Sequence, residues 1–167
     1  MFNGKPKRVA HQASVGNSTV RSLLRLVGQK YDESRGFDRF GKNLKSDMDR
    51  IVTFFDGNCC YCGEVLSSAN LEKDHLIPIN MDQCGLHAWG NVVPCCAKCN
   101  DEKHGTPWEV YCKGVERRYV ERIIQFRIHY KYDFDSAKLA AVTKRLHREI
   151  GEEMAHRVWQ SLNQIMS

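Results

Sequence analysis

The chain is poor in the features that mark non-globular proteins. Only 4 prolines and 12 glycines occur in 167 residues, too few for a disordered or fibrous chain. No apolar run approaches the roughly 18 residues that a membrane span requires. Internal repeats and low-complexity tracts are absent. Residues 1–8 are basic, but no apolar stretch follows them, so they do not read as a secretory signal. Together these absences exclude membrane-spanning, exported and fibrous classes, and predict an intracellular, cytoplasmic protein without a membrane partner. The length is that of one ordinary domain, and 42% hydrophobic content suffices for a sizeable core.

Charge is unevenly placed. Residues 1–50 hold 11 Lys/Arg against 5 Asp/Glu, a balance of +6. Residues 51–112 hold 3 against 8, or −5, and residues 113–167 hold 11 against 7, or +4. Basic flanks around a carboxylate-bearing centre suggest a grip on a polyanion, although solvated helix faces give the same average. The same partition gives three segments: a basic helical flank over 1–55, a core over 56–112, and a second basic helical flank over 113–167, expected to form one compact unit.

Local patterning predicts helix, then a small β-hairpin with one helix, then helix. Residues 1–17 are polar and expected to be mobile. Ser18 can cap a helix over 18–30, with Val20, Leu23, Leu24 and Val27 at helical spacing. A second helix is predicted over 44–55, with Met48, Ile51, Val52 and Phe55 on one face, ending at the turn Asp56-Gly57-Asn58. Residues 71–77 read as a strand stopped by Pro78, and 91–93 as a partner strand stopped by Pro94. A short helix follows over 97–104. Residues 115–130 form a further helix with Val120, Ile123, Ile124 and Ile128 at core-like spacing, and 136–166 form one long helix or two parting near Gly151. Trp89, Trp108 and Trp159 are expected in the core.

All 8 cysteines lie in the acidic centre. Cys59-x-x-Cys62 and Cys96-x-x-Cys99 are two knuckles, each able to bring two thiolates to one ion. Four such ligands make a closed tetrahedral Zn²⁺ site, which is structural because no coordination position stays open. A redox pair would need a single Cys-x-x-Cys in a βαβ setting. Cys95 with Cys99 is an alternative spacing, and Cys60 is less well placed. Cys84 and Cys112 are expected to be core thiols.

Between and just after the knuckles stand Asp74, His75, Asn91, Asn100 and His104. Phosphodiester hydrolysis needs a base to deprotonate water and a cation to stabilise charge on phosphorus and the leaving oxygen. Neutral imidazole at His75 suits the base, and Asp74 offers a hard oxygen to a divalent ion. Asn100 and His104 share a helix face, being four residues apart, and can complete the metal site. The oxygen donors favour Mg²⁺ or Mn²⁺, whereas a His104 ligand shifts the preference toward Mn²⁺, Ni²⁺ or Zn²⁺. An ideal strand points Asp74 and His75 to opposite faces, so joint action on one phosphate requires a twist or bend there. His87 and His129 have no spacing argument and are expected to be structural.

Four motifs stand in order: Cys59-x-x-Cys62-Gly63, Asp74-His75-x-x-Pro78, Gly90-Asn91-Val92-Val93-Pro94 and Cys96-x-x-Cys99-Asn100-x-x-Lys103. Over about residues 56–105 they resemble the HNH endonucleases, the ββα-metal or His-Me finger nucleases. The resemblance implies an α+β fold: a small ββα-metal core with a four-cysteine zinc site, flanked by N- and C-terminal helices. It implies Asp74 as the first metal ligand, His75 as the general base, and Asn91 as the residue bracing the loop that orients the base. Asn100 stands at the third signature position, a metal ligand, and His104 matches an additional metal-binding histidine of some members. The implied activity is metal-dependent endonucleolytic hydrolysis of DNA, leaving 5′-phosphate and 3′-hydroxyl ends.

Arg21, Arg25, Arg117, Arg118 and Arg122 are candidate DNA-backbone contacts. Restriction, phage defence, junction resolution and homing are all compatible settings, as a homodimer or with a partner protein. Two other classes remain in view: a non-catalytic zinc module binding nucleic acid, and an HNH effector subunit directed by a partner protein.

Overall fold

The computed structural model describes the backbone of residues 7–166, with side chains described from residue 19 to 145 and for part of the last helix. In chain order the elements are α1 (Lys7–Ser34), α2 (Leu44–Phe54), β1 (Leu71–His75), β2 (Val92–Cys96), α3 (Ala97–Lys103), α4 (Trp108–Tyr111), a 3₁₀ turn (Cys112–Gly114), α5 (Arg117–His129) and α6 (Ser136–Met166). The mixed α+β architecture, with a two-stranded antiparallel sheet and one following helix, is the expected ββα unit between helical flanks.

The hairpin register pairs Leu71 with Cys96, Asp74 with Val93 and His75 with Val92. All of β2 is buried, whereas in β1 only Asp74 is; α2 packs on β2, and α3 packs on both strands. Pro94 does not stop β2: a strand in a two-stranded sheet has one unpaired edge, so a missing N–H is tolerated there. Its carbonyl accepts the Cys60 N–H at 3.0 Å, tying the first knuckle to the sheet.

Two apolar clusters hold the elements. The larger joins Ile51 and Phe55 of α2, Val92 and Val93 of β2, Trp89, and Ile123 and Phe126 of α5. The smaller packs Val20 and Leu24 of α1 against Leu86, Ala88 and Tyr132. A polar clamp links them. The buried Asp32 carboxylate accepts the N–H groups of Phe40 at 2.9 Å and Trp89 at 3.1 Å, and pairs with Arg35 at 2.6 Å. Arg35 also donates to the carbonyls of Trp89 and Tyr130.

Several local expectations change. The first helix begins at Lys7, so Ser18 lies inside it. Once nucleated, a helix propagates through polar residues, and Gly16 alone costs only about 1 kcal/mol. The expected mobility of 1–17 thus meets a helix from residue 7 onward, and residues 1–6 lie outside the described residues. On α5, Ile123 is buried and Val120 packs against the core as expected, but Ile124 and Ile128 are exposed and Phe126 is buried in their place. Trp89 and Trp108 are buried but Trp159 is 63% exposed. Residues 136–166 form one helix, running through Gly151. Among the described residues, no helix is long and apolar enough to cross a membrane.

Candidate active site and metal centre

The first knuckle is a tight turn after α2. Cys59 N–H bonds to Glu64 O at 2.8 Å and Gly63 N–H to Cys59 O at 3.0 Å. Gly63 adopts φ +75°, and a Cβ there would sit 2.1 Å from the Tyr119 hydroxyl. Glycine is therefore required both by backbone conformation and by the packing of α5. The second knuckle spans the junction of β2 and α3, which places Cys96 and Cys99 opposite the first pair. The Sγ atoms of Cys59, Cys62, Cys96 and Cys99 all lie within 4.8 Å of one another, with Cys62 and Cys96 at 3.7 Å. Four thiolates about 2.3 Å from one Zn²⁺ would be separated by roughly 3.8 Å, so spacing and donor chemistry both fit zinc. Cys95 and Cys60 stay outside this set, and burial pushes both thiols up, which keeps them protonated. Cys84 and Cys112 are buried, as expected of core thiols.

Asp74 and His75, adjacent on β1, take different partners. Asp74 is only 6% exposed. Its Oδ2 accepts the Tyr61 hydroxyl at 2.5 Å and pairs with Lys103 Nζ at 2.9 Å. Lys103, fully buried at the end of α3, also donates to His75 O at 2.9 Å. One ammonium thus neutralises the carboxylate and fixes the backbone beneath the candidate base. Both donors converge on one oxygen, so Oδ1 is the oxygen that a cation would meet. Asn100 is half-buried on α3, and His104 is exposed at its C-cap with φ 47°. Asp74 and Asn100 supply carboxylate and amide oxygens, a donor chemistry that fits a hard divalent cation.

The His75 ring meets His87, with Nε2 of the first 3.0 Å from Nδ1 of the second. Burial, followed by His87 and the nearby cations, pushes His75 down to about 3, and burial with Arg25 and Lys73 pushes His87 down to about 4. Both rings are therefore neutral at physiological pH. Asn91 holds the loop between β1 and His87. It is fully buried, its Oδ1 accepts the Ile77 N–H at 2.8 Å, and its Nδ2 donates to the carbonyls of Ile77 and Leu86 at 3.0 and 2.8 Å.

His87 opens onto a groove of about 440 Å³ lined by Arg25, Gln29, Arg39, Phe40, Gly41, Lys42, Leu44 and Lys73. Of the five candidate phosphate-binding arginines, Arg25 alone lines this groove, and Arg21 is exposed elsewhere on α1. The other three lie on α5 with local partners: Arg117 with Glu121 at 2.7 Å, Arg118 with Glu116 at 3.0 Å, and Arg122 with Asp56 at 2.7 Å. Sequence reasoning missed Lys73 and assigned His87 a structural place. Lys73 had a signal, because it stands two residues before His75 and strand alternation puts both on one face. His87 had none, since it stands twelve residues beyond His75 and reaches it only through the fold of the intervening loop.

The family model of HNH endonucleases matches residues 59–107. The CRISPR-associated endonuclease Cas9 of Corynebacterium diphtheriae is 26% identical over 133 residues, covering 73% of this chain and 12% of that protein. The chain thus spans about an eighth of the length of this curated relative. Among solved structures, the crystal structure of the type II-C Cas9 enzyme from Actinomyces naeslundii aligns with a TM-score of 0.39 and 19% identity, over 85% of this chain and 16% of that one. With motif order, ββα architecture and clustered cysteines in agreement, residues 59–107 are identified as an HNH endonuclease module of the branch that bears a four-cysteine site.

Proposed function

We propose that the chain is a metal-dependent endonuclease that hydrolyses DNA phosphodiester bonds, with His75 as the general base. The observation carrying this reading is the His75 imidazole, seated on a carbonyl held by Lys103 and bonded through Nε2 to His87, which lines a groove of cations. His75 Nδ1 takes a proton from water as its oxygen attacks phosphorus in line, a role that supplies about 10²–10⁴-fold. Asp74 and Asn100, with His104 at the C-cap that ends α3, are the residues that would hold Mg²⁺ or Mn²⁺. When bound, such an ion supplies Lewis-acid stabilisation of charge on phosphorus and the leaving oxygen. Asn91 holds the loop that carries His87 and so preserves the alignment of the base. Zn²⁺ on Cys59, Cys62, Cys96 and Cys99 staples the module and takes no part in the reaction.

The setting proposed is intracellular, in restriction or phage defence. A partner-directed effector is the second reading, because similarity to a CRISPR-associated endonuclease extends over 133 residues, well beyond the matched core. Supercoiled plasmid incubated with the purified chain and Mg²⁺ or Mn²⁺ should be nicked or linearised. His75→Ala should cut at least about 100-fold more slowly, and EDTA should abolish cleavage. Equal cutting by His75→Ala would remove His75 as the base. Intact plasmid with wild type, joined by cleavage once a native partner is added, would favour the partner-directed effector.

A further inference from the structure

We propose that His87 is a positioning residue that sets the tautomer of His75, and that a nucleic-acid phosphate bound in the adjoining basic groove enforces that setting. The inference rests on the reading of His75 as the base. The two imidazoles share one nitrogen–nitrogen contact, His75 Nε2 to His87 Nδ1 at 3.0 Å. One nitrogen must donate and the other accept, and the choice fixes both rings. If His75 is to take a proton at Nδ1, its own proton must sit on Nε2. His87 Nδ1 is then the acceptor, and His87 carries its proton on Nε2. The opposite choice puts the His75 proton on Nδ1 and directs its only lone pair at His87, where no water is activated.

His87 Nε2 lies on the groove side. A Cβ at Gly41, a groove-lining residue, would be 3.4 Å from it. Arg25, Lys42 and Lys73 line the same groove. A backbone phosphate attracted there accepts a hydrogen bond and cannot donate one, so it favours the proton on His87 Nε2. The ordering then passes through the ring to His75, and the substrate stabilises the form of the enzyme that can attack it. The His87 ring is held for this task. Gly28 of α1 lies so close to the His87 backbone that a Cβ would be 2.5 Å from its carbonyl oxygen, and the Phe40 ring meets the imidazole edge-on at 4.8 Å.

The test uses the full chain with ¹⁵N-labelled histidine, long-range ¹H–¹⁵N correlation spectra, and a short DNA duplex without divalent metal as the groove probe. Wild type should show His75 protonated on Nε2, and the duplex should shift the His87 Nε2 signal. His87→Leu should lower kcat for plasmid cleavage by about 10–100-fold, the usual cost of losing an orienting partner, with KM changed less than about threefold. His87→Asn, whose Oδ1 replaces the Nδ1 acceptor, should recover most of that loss. A His75 proton on Nδ1 in wild type would overturn the proposal, even if the variants fail to fold. So would His87→Asn as slow as His87→Leu with a raised KM, which would make His87 a simple phosphate contact. A His87 signal unmoved by the duplex would overturn the phosphate's part. If wild type fails to cut while the spectra show the expected tautomers, the failure belongs to the nuclease reading.

Discussion

The two basic surfaces of this chain differ in where their counter-charges lie. On α5, Arg117, Arg118 and Arg122 each have a carboxylate within 3.0 Å, two of them within four residues in sequence. Around His87, cations from three separate elements converge on one groove: Arg25 from α1, Lys42 from the connection that follows, and Lys73 from β1. Among the described residues these three make no ion pair, and Arg39 at the rim pairs with Glu33. A polyanion meets unspent charge at the groove and charge already compensated on α5. Counting lysines and arginines cannot make that distinction, because it depends on which acids the fold brings within reach.

Loss of the zinc site should erase both surfaces. Cys99→Ser, or prolonged treatment with a strong chelator, should unfold the knuckle and abolish a cooperative melt, since binding energy at a structural zinc site is folding energy. Elemental analysis should find one zinc per wild-type chain and a loss of it in the variant. Next in size is charge reversal in the groove. Lys73→Glu or Arg25→Glu should weaken DNA binding about tenfold at low salt, and neutral replacements should each lower the slope of log affinity against log salt by about 0.9. An unchanged slope would break the contrast between the two surfaces.

A smaller effect concerns stability in acid. Burial holds His87 at about 4 in the folded chain against 6.5 unfolded, so the unfolded state binds the proton first as pH falls. The contribution of the neutral ring is present above 6.5 and is lost as pH drops toward 4. Melting temperature should therefore fall more steeply between pH 7 and 4.5 for wild type than for His87→Leu. The smallest effect is expected on α5, where Arg117→Ala and Arg118→Ala should change DNA affinity by less than about twofold, as exposed ion pairs contribute little. Losses there equal to those in the groove would show that local pairing does not decide which face binds.

Short-range features were the ones legible in the sequence. The Cys-x-x-Cys pairs, the hairpin, the helix over 97–103 and the buried faces of α2 follow from spacings of two to four residues, which local backbone geometry reads directly. The Asn91 clamp was legible through motif resemblance. Three things lay beyond that range. The Asp74–Lys103 pair spans 29 residues and depends on α3 folding back over β1. His87 reaches His75 only because Asn91 and α1 shape the intervening loop. The separation of Arg25 from the α5 group turned on which elements the fold brings round the groove, since Arg117 and Arg118 already have carboxylates within four residues in sequence. The α5 core face shows the same limit: Phe126, packed on Phe54 and Phe55, is buried where the apolar spacing pointed to Ile124 and Ile128.

The Asp32 clamp bears on how portable the module is. Asp32 belongs to α1, yet it satisfies the backbone of Trp89, and Arg35 satisfies the carbonyls of Trp89 and Tyr130. Transplanting residues 56–112 into another host would leave the Trp89 N–H and carbonyl without these partners, and would remove the helix against which His87 rests. The zinc would still hold the ββα unit, but the loop behind the base would lose its backing. In this chain the nuclease motif is an inlay cut to fit its surround, and a recombinant that exchanges the flanks would keep the ligands while losing the alignment.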